Sequence, residues 1–182
     1  MKIVLGSASP RRKEILSLMG YDFSIRVSDK EEIASGDNPK EIVKNIALSK
    51  ANNILINHDE LLICADTIVV LDNQIVGKPK NKDDAREMIT KLQGKRHVVY
   101  TAVVLKNNDF EKTFVDEAEV EIYPMSKEEI EEYINTPEPY DKAGGYAIQG
   151  IFSKYIKGYS GDYYTIMGLP KEKLTIELDK IK

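Results

Sequence analysis

Eleven residues, Leu61–Leu71, form a near-continuous apolar and β-rich run, LLICADTIVVL. A strand that is apolar on both sides of its pleat must be covered on both faces, so this run predicts a central strand with structure packed above and below it. Asp66 stands out within it. A carboxylate in such a run carries a desolvation cost, and is usually retained for a partner, a metal or proton transfer. The plainer alternative is a carboxylate at an exposed strand edge, satisfied by backbone N–H groups. From this residue alone the two readings are equally supported.

The pattern around this strand is that of an α/β protein. Lys2–Leu5 predicts a short first strand ending at Gly6. Ser9 has the chemistry of a helix N-cap, and Pro10 fits the first helical position, where its missing N–H costs nothing. Ile15, Leu16 and Met19 supply an apolar helix face, and Gly20 a stop. A second strand is expected over Asp22–Val27, a polar loop over Ser28–Asn38, and a helix over Pro39–Ile56. Asp72 and Asn73 turn the central strand into a short strand, Gln74–Val76. A helix follows over Asp83–Leu92, closing on Gly94. His97–Leu105 and Glu111–Tyr123 flank a turn and predict a long hairpin. Ser126 and Glu129 form a capping box for a helix to about Asn135, which gives those glutamates a structural role. Pro137–Gly145 reads as loop, and a last helix as Pro170–Lys180. The whole predicts an α/β protein built on a mixed sheet and not on a doubly wound nucleotide fold, with residues 1–182 forming one domain or two small lobes that share a core.

Composition narrows the classes of function. The 182 residues are enough to bury a substantial core, and the formal net charge of −4 offers no global attraction for nucleic acid or an anionic membrane. An anionic ligand therefore needs positive charge concentrated locally. The single cysteine, Cys64, excludes an internal disulfide and reads as a buried, inert thiol. The apolar stretch of MKIVLGSASP is too short for a signal peptide and no later segment is suited to spanning a bilayer, so a cytoplasmic setting is expected.

Three further stretches carry the residue types of a binding site. In Gly6–Lys13, GSASPRRK, small residues let a ligand approach the backbone, and the helix start offers unpaired N–H groups. Arg11, Arg12 and Lys13 add charge at a helix end where cations are unfavourable unless an anion arrives. The motif is not a Walker loop. Gly77-Lys78-Pro79 is a turn able to deliver an ammonium group. In Asp141–Gly150, DKAGGYAIQG, the paired glycines suggest close backbone approach, and the Gln149 amide can both donate and accept at the edge of a pyrimidine, although taken alone the segment is better read as a glycine-rich turn with a polar residue. His58 and His97 lack a third ligand at metal spacing and read as structural or surface residues. Tyr159, Tyr163 and Tyr164 read as packing residues.

Five segments taken in order resemble the Maf family of nucleoside triphosphate pyrophosphatases: SASPRRKEIL at 7–16, CADTIVVLDNQIVGKP at 64–79, LQGKRHVVYTAVVL at 92–105, DKAGGYAIQG at 141–150 and GDYYTIMGLP at 161–170. The resemblance implies a two-lobed α/β fold similar to the inosine triphosphate pyrophosphatases, with a cleft between the lobes, a homodimer, and cleavage between the α- and β-phosphates aided by Mg²⁺ or Mn²⁺. It further implies Asp66 as proton acceptor, and Ser7, Arg12, Glu32, Lys50 and Lys78 around the triphosphate and metal, with Asp66 and Glu32 as metal ligands. Arg11, Thr67 and Gln149 match positions associated with substrate choice and read as in the dTTP/UTP subfamily. Thr165 departs from the Asn or His that many members carry. Two rival readings are a housekeeping enzyme for purine or modified nucleotides and a non-catalytic nucleotide-binding regulator of cell division.

Overall fold

The computed structural model describes all 182 residues. The chain runs β1 (Lys2–Leu5), α1 (Pro10–Leu18), β2 (Phe23–Ile25), α2 (Pro39–Asn52), β3 (Glu60–Leu71), β4 (Gln74–Val76), α3 (Lys82–Leu92), β5 (Arg96–Lys106), β6 (Glu111–Ile122) and α4 (Lys127–Ile134). Three 3₁₀ turns follow, Glu138–Asp141, Ala143–Gly145 and Ile151–Tyr155, and then β7 (Ile156–Ser160), α5 (Tyr163–Met167) and α6 (Lys171–Asp179). The seven strands make one mixed sheet in the order β2-β1-β3-β5-β6-β7, with β4 added to β3. β1 pairs in parallel with β2 and β3, whereas β3 to β7 pair antiparallel. The mixed-sheet α/β fold expected from the sequence is the fold found.

β3 is the central strand. Leu61, Ile63, Ala65, Val69 and Leu71 join the larger core, with Ile15 and Leu16 of α1, Ile89 of α3 and Tyr133 of α4. Leu62, Cys64, Ile68 and Val70 face the other way, against Val43, Ala47 and Ala51 of α2. This alternation is the period-two geometry of a strand buried on both faces. Cys64 is buried, and desolvation pushes its thiol up to about 12, so it is inert as expected.

β3 is paired unequally along its two edges. β5 covers one edge from Leu62 to Val70. On the other, β1 stops at Leu5, opposite Ile63, and β4 begins pairing only at Val69. Cys64 to Ile68 therefore have no neighbouring strand on that side, and Asp66 and Thr67 lie in the gap.

Local signals explain most boundaries. The Ser9 hydroxyl accepts from Arg12 N at 3.5 Å, and Asn38 and Asn81 cap α2 and α3 in the same manner. Both halves of the Ser126/Glu129 capping box are made. Asp72 and Asn73 take positive φ, as a tight turn of this type requires. Some expectations need correction. α2 ends at Asn52, four residues before Ile56, and β2 is only three residues long. The loop at Pro137–Gly145 is wound into 3₁₀ turns, and β7 and α5 were not anticipated.

His97, on β5, is buried and faces Tyr146, whose hydroxyl meets Nε2, while Nδ1 has no partner. Burial lowers its pKa from 6.5 to about 4. Below 6.5 the unfolded chain takes up a proton that the folded chain refuses until about 4, so stability falls across that window as pH drops. His97→Gln is expected to flatten the decline of Tm between pH 6.5 and 4.5 in a thermal melt series. Parallel melting curves for the two proteins would show that His97 does not set the slope.

Candidate active site

The gap beside β3 opens into a cavity of about 480 Å³. Ser7, Arg11, Arg12, Glu32, Lys50, Asp66, Thr67, Lys78 and Gln149 all line it, so every site residue named from the sequence converges on one space. Five parts of the fold deliver them: the β1–α1 turn with the first turn of α1, α2 with the loop before it, the exposed edge of β3, the turn after β4 that bears Lys78, and the 141–149 segment.

Asp66 and Thr67 are neighbours on a strand, and so project to opposite faces. Asp66 turns toward α2, where Lys50 Nζ approaches its Oδ1 to 2.8 Å and the Ala65 carbonyl to 3.2 Å. Glu32 Oε1 lies 3.6 Å from the same ammonium. Lys50 thus joins two carboxylates that would otherwise repel each other. Glu32 lines the cavity, whereas its neighbour Glu31 does not. The Asp66 and Lys50 side chains retain 17% and 19% exposure, enough to meet a ligand at the cavity wall.

Thr67 turns toward α1 and α5. Its hydroxyl accepts from Arg12 Nη2 at 3.1 Å and meets the Thr101 hydroxyl at 2.8 Å. Arg12 also donates from Nε to the Gly168 carbonyl at 2.7 Å and from Nη1 to Ser7 Oγ at 3.3 Å. It is buried, and desolvation is the main cause lowering its pKa. All three of these partners are neutral oxygens. The guanidinium has five N–H donors, and three are used, leaving two for an incoming anion.

The close backbone approach expected of the paired glycines is found at Gly144, against β3. Gly144 and Gly145 have φ of 71° and 78°, and a Cβ at Gly144 would lie 2.9 Å from the Val69 side chain of β3. Gly144 N also donates to the Gly77 carbonyl at 3.0 Å, which ties this segment to the turn bearing Lys78. Lys78 and Gln149 are both exposed where they meet the cavity, and Arg11 is half-buried there. The sequence reading missed Lys30, Asn53 and Lys142 as lining residues. Lys142 belongs to the DKAGGYAIQG segment. Its ammonium reaches the Glu138 carbonyl at 3.0 Å and Asp141 at 2.7 Å.

A cavity with a buried, anion-seeking arginine, further lysines and paired carboxylates is one suited to a polyanionic ligand. Residues 2–181 match the model of the Maf-like protein family, and the chain belongs to that family. It is 46% identical to a dTTP/UTP pyrophosphatase of Lachnoclostridium phytofermentans, across 98% of this chain and 94% of that protein. It is 45% identical to a dTTP/UTP pyrophosphatase of Bacillus anthracis, across 97% of this chain and 94% of that protein. Among solved structures it resembles the Ham1 protein of Staphylococcus aureus, with a TM-score of 0.53 at 13% identity over 100% of both chains. A HAM1 protein from Coxiella burnetii gives 0.52 at 15% identity over 99% of each chain. At these identities the resemblance concerns the fold.

Arg12→Ala removes charge-assisted hydrogen bonds worth about 1.5–3 kcal/mol each, so tripolyphosphate binding measured by calorimetry should weaken by about tenfold or more. Glu129→Ala, in the α4 capping box far along the chain, should cost roughly 0.3–1.5 kcal/mol of stability and leave binding intact. Equal effects of both changes on binding would remove the β1–α1 turn from the site.

Proposed function

We propose that the cavity binds dTTP or UTP and hydrolyses it to the monophosphate and pyrophosphate. The observation that carries this reading is the Asp66–Lys50–Glu32 cluster facing the same cavity as a buried arginine without a carboxylate partner. Relatives that share nearly the whole chain and are named dTTP/UTP pyrophosphatases support it.

The chemistry follows from charge. A triphosphate repels a nucleophile until its own charge is offset, and Arg12, Lys50 and Lys78 supply three cations around one space. Asp66 orients a water and takes its proton as the water oxygen attacks the α-phosphorus in line. The bond from that phosphorus to the α–β bridging oxygen breaks, and its electron pair leaves with pyrophosphate. Arg12 and Lys78 stabilise the charge that collects on this leaving group. Ser7 accepts from Ser9 N at 3.2 Å and from Arg12, so its own hydroxyl proton is free to reach a phosphate oxygen.

Asp66 and Glu32 offer hard carboxylate oxygens, a donor set that suits Mg²⁺ or Mn²⁺ completed by water and phosphate oxygens. Asp66 and Glu32 would hold such an ion, and the substrate's phosphate oxygens would complete its coordination. When bound, such an ion polarises phosphoryl oxygens and offsets charge on the leaving group.

Gln149 and Arg11 read the base. Uracil and thymine both present a carbonyl at position 4 beside an N3–H, which one amide can match; cytosine reverses that pattern. No helix is long and apolar enough to cross a membrane, and the lone buried cysteine suits a reducing cytoplasm. A single domain and assembly as a homodimer complete the reading.

The test is pyrophosphate release from a panel of triphosphates with Mg²⁺ or Mn²⁺ added. dTTP and UTP should be cleaved, with CTP at least about tenfold poorer in kcat/KM, because polar mismatches that the bound base covers at Gln149 and Arg11 cost about 1–3 kcal/mol each. Asp66→Asn keeps side-chain size and should lower turnover by about 100-fold or more, as loss of a general base does. Near-normal turnover in that variant would remove Asp66 from the chemistry, and preference for purine triphosphates would replace the substrate assignment.

A further inference from the structure

Behind the cavity wall a chain of hydroxyl groups runs from Arg12 into the core. Thr67 Oγ1 lies 2.8 Å from Thr101 Oγ1, and Thr101 Oγ1 lies 2.8 Å from the Thr165 carbonyl. Thr101 and Thr165 are wholly buried. The Thr165 hydroxyl donates in turn to Asp116 Oδ2 at 2.6 Å.

The direction of every bond in this chain is determined. A carbonyl oxygen only accepts, so Thr101 spends its one proton on Thr165. The Thr101 oxygen must then accept from Thr67, which spends its one proton there. Thr67 is left with lone pairs alone facing the cavity, and one of them receives Arg12 Nη2. A threonine free to rotate would present a proton to the guanidinium part of the time; this one does not.

Both ends of the arrangement rest on α5 and its C-cap, Gly168. The Thr165 carbonyl anchors Thr101, and the Gly168 carbonyl holds Arg12 Nε. Gly168 has φ of 123°, and its backbone N–H returns to the Tyr164 carbonyl at 2.9 Å, which fixes the helix end in place. The segment GDYYTIMGLP thereby acquires a task at the site although only Ile166 and Met167 of α5 line the cavity.

We propose that Thr101 is a positioning residue: it orients the Thr67 hydroxyl as an obligate acceptor and through it holds the Arg12 guanidinium with two N–H groups open to the ligand. Thr101 touches no ligand itself, being buried behind Thr67. This rests on the reading of the cavity as a triphosphate site. One consequence concerns specificity, since Thr67 can pair with a donor on the ligand and not with a carbonyl or phosphate oxygen, whereas Ser7 can donate.

The test is a double-mutant cycle read as the Kd for tripolyphosphate by titration calorimetry, with Tm recorded for each protein. Thr101→Val keeps shape and removes the hydroxyl, and should weaken binding about tenfold, a loss on the scale of one charge-assisted bond. Thr101→Ser restores the hydroxyl and should bind within about twofold of the unmodified protein. On a Thr67→Val background the link to Arg12 is already cut, so Thr101→Val should add less than about twofold, the non-additivity expected of residues acting in series. Should the valine variant fail to fold, Thr101→Ala takes its place in the cycle. Unchanged binding in Thr101→Val, equal impairment in Thr101→Ser, or a full additive loss on the Thr67→Val background each overturns the proposal. Cleavage of dTTP by the unmodified protein is scored separately, so a protein that binds tripolyphosphate without cleaving dTTP strikes the functional reading and leaves this one standing.

Discussion

A guanidinium buried without a carboxylate is the constraint around which the cavity is organised. Desolvating Arg12 is unfavourable, and three neutral oxygens, from Ser7, Thr67 and Gly168, offset only part of the loss. The residual charge has its best partner in an anion from solution. A carboxylate placed beside Arg12 would satisfy it in the resting protein and remove that demand. The carboxylates present, Asp66 and Glu32, are instead engaged by Lys50 on the opposite side of β3. Two neighbouring strand residues thus separate the charges: Thr67 serves the arginine, and Asp66 the lysine.

This separation is possible because the sheet leaves a vacancy. Ending β1 at Leu5 and starting β4 pairing at Val69 exposes the edge of β3 between them, while β5 keeps the strand rigid from the other side. The backbone that would otherwise be a paired edge becomes a cavity wall. The same short β1 directs the chain into the turn that carries Ser7, Arg11 and Arg12, so the element that creates the gap also fills it with cations. Gly6 permits the exit, since a Cβ there would fall 2.3 Å from the Cys64 sulfur.

Much of this was legible in the residues. The unbroken apolar run around Asp66 marks a strand covered on both faces, and an acid within it is conspicuous. Caps at Ser9 and Ser126 announce their helices. What stayed hidden is informative. β7 and α5 are five residues each and partly exposed, too short and too mixed to show a period. Thr101 reads as an ordinary β-branched strand residue, because its importance lies in a partner across the sheet and another on α5, at separations of 34 and 64 residues. The double glycine announced a close backbone approach, but not that the neighbour at Gly144 is a valine of β3. Chemistry carried by one residue type shows in a sequence; chemistry carried by pairing across strands shows only once register is known.

On the proposed function, water attacks the α-phosphorus while Asp66 directs it and the cations hold the departing pyrophosphate. Hydrolysis of dTTP in water enriched in oxygen-18, with the products separated and weighed by mass spectrometry, tests that claim directly. The label should appear in the thymidine monophosphate, with unlabelled pyrophosphate released beside it. Label in the pyrophosphate, or release of orthophosphate with a nucleoside diphosphate, would place the attack at another phosphorus and contradict the arrangement described for this site.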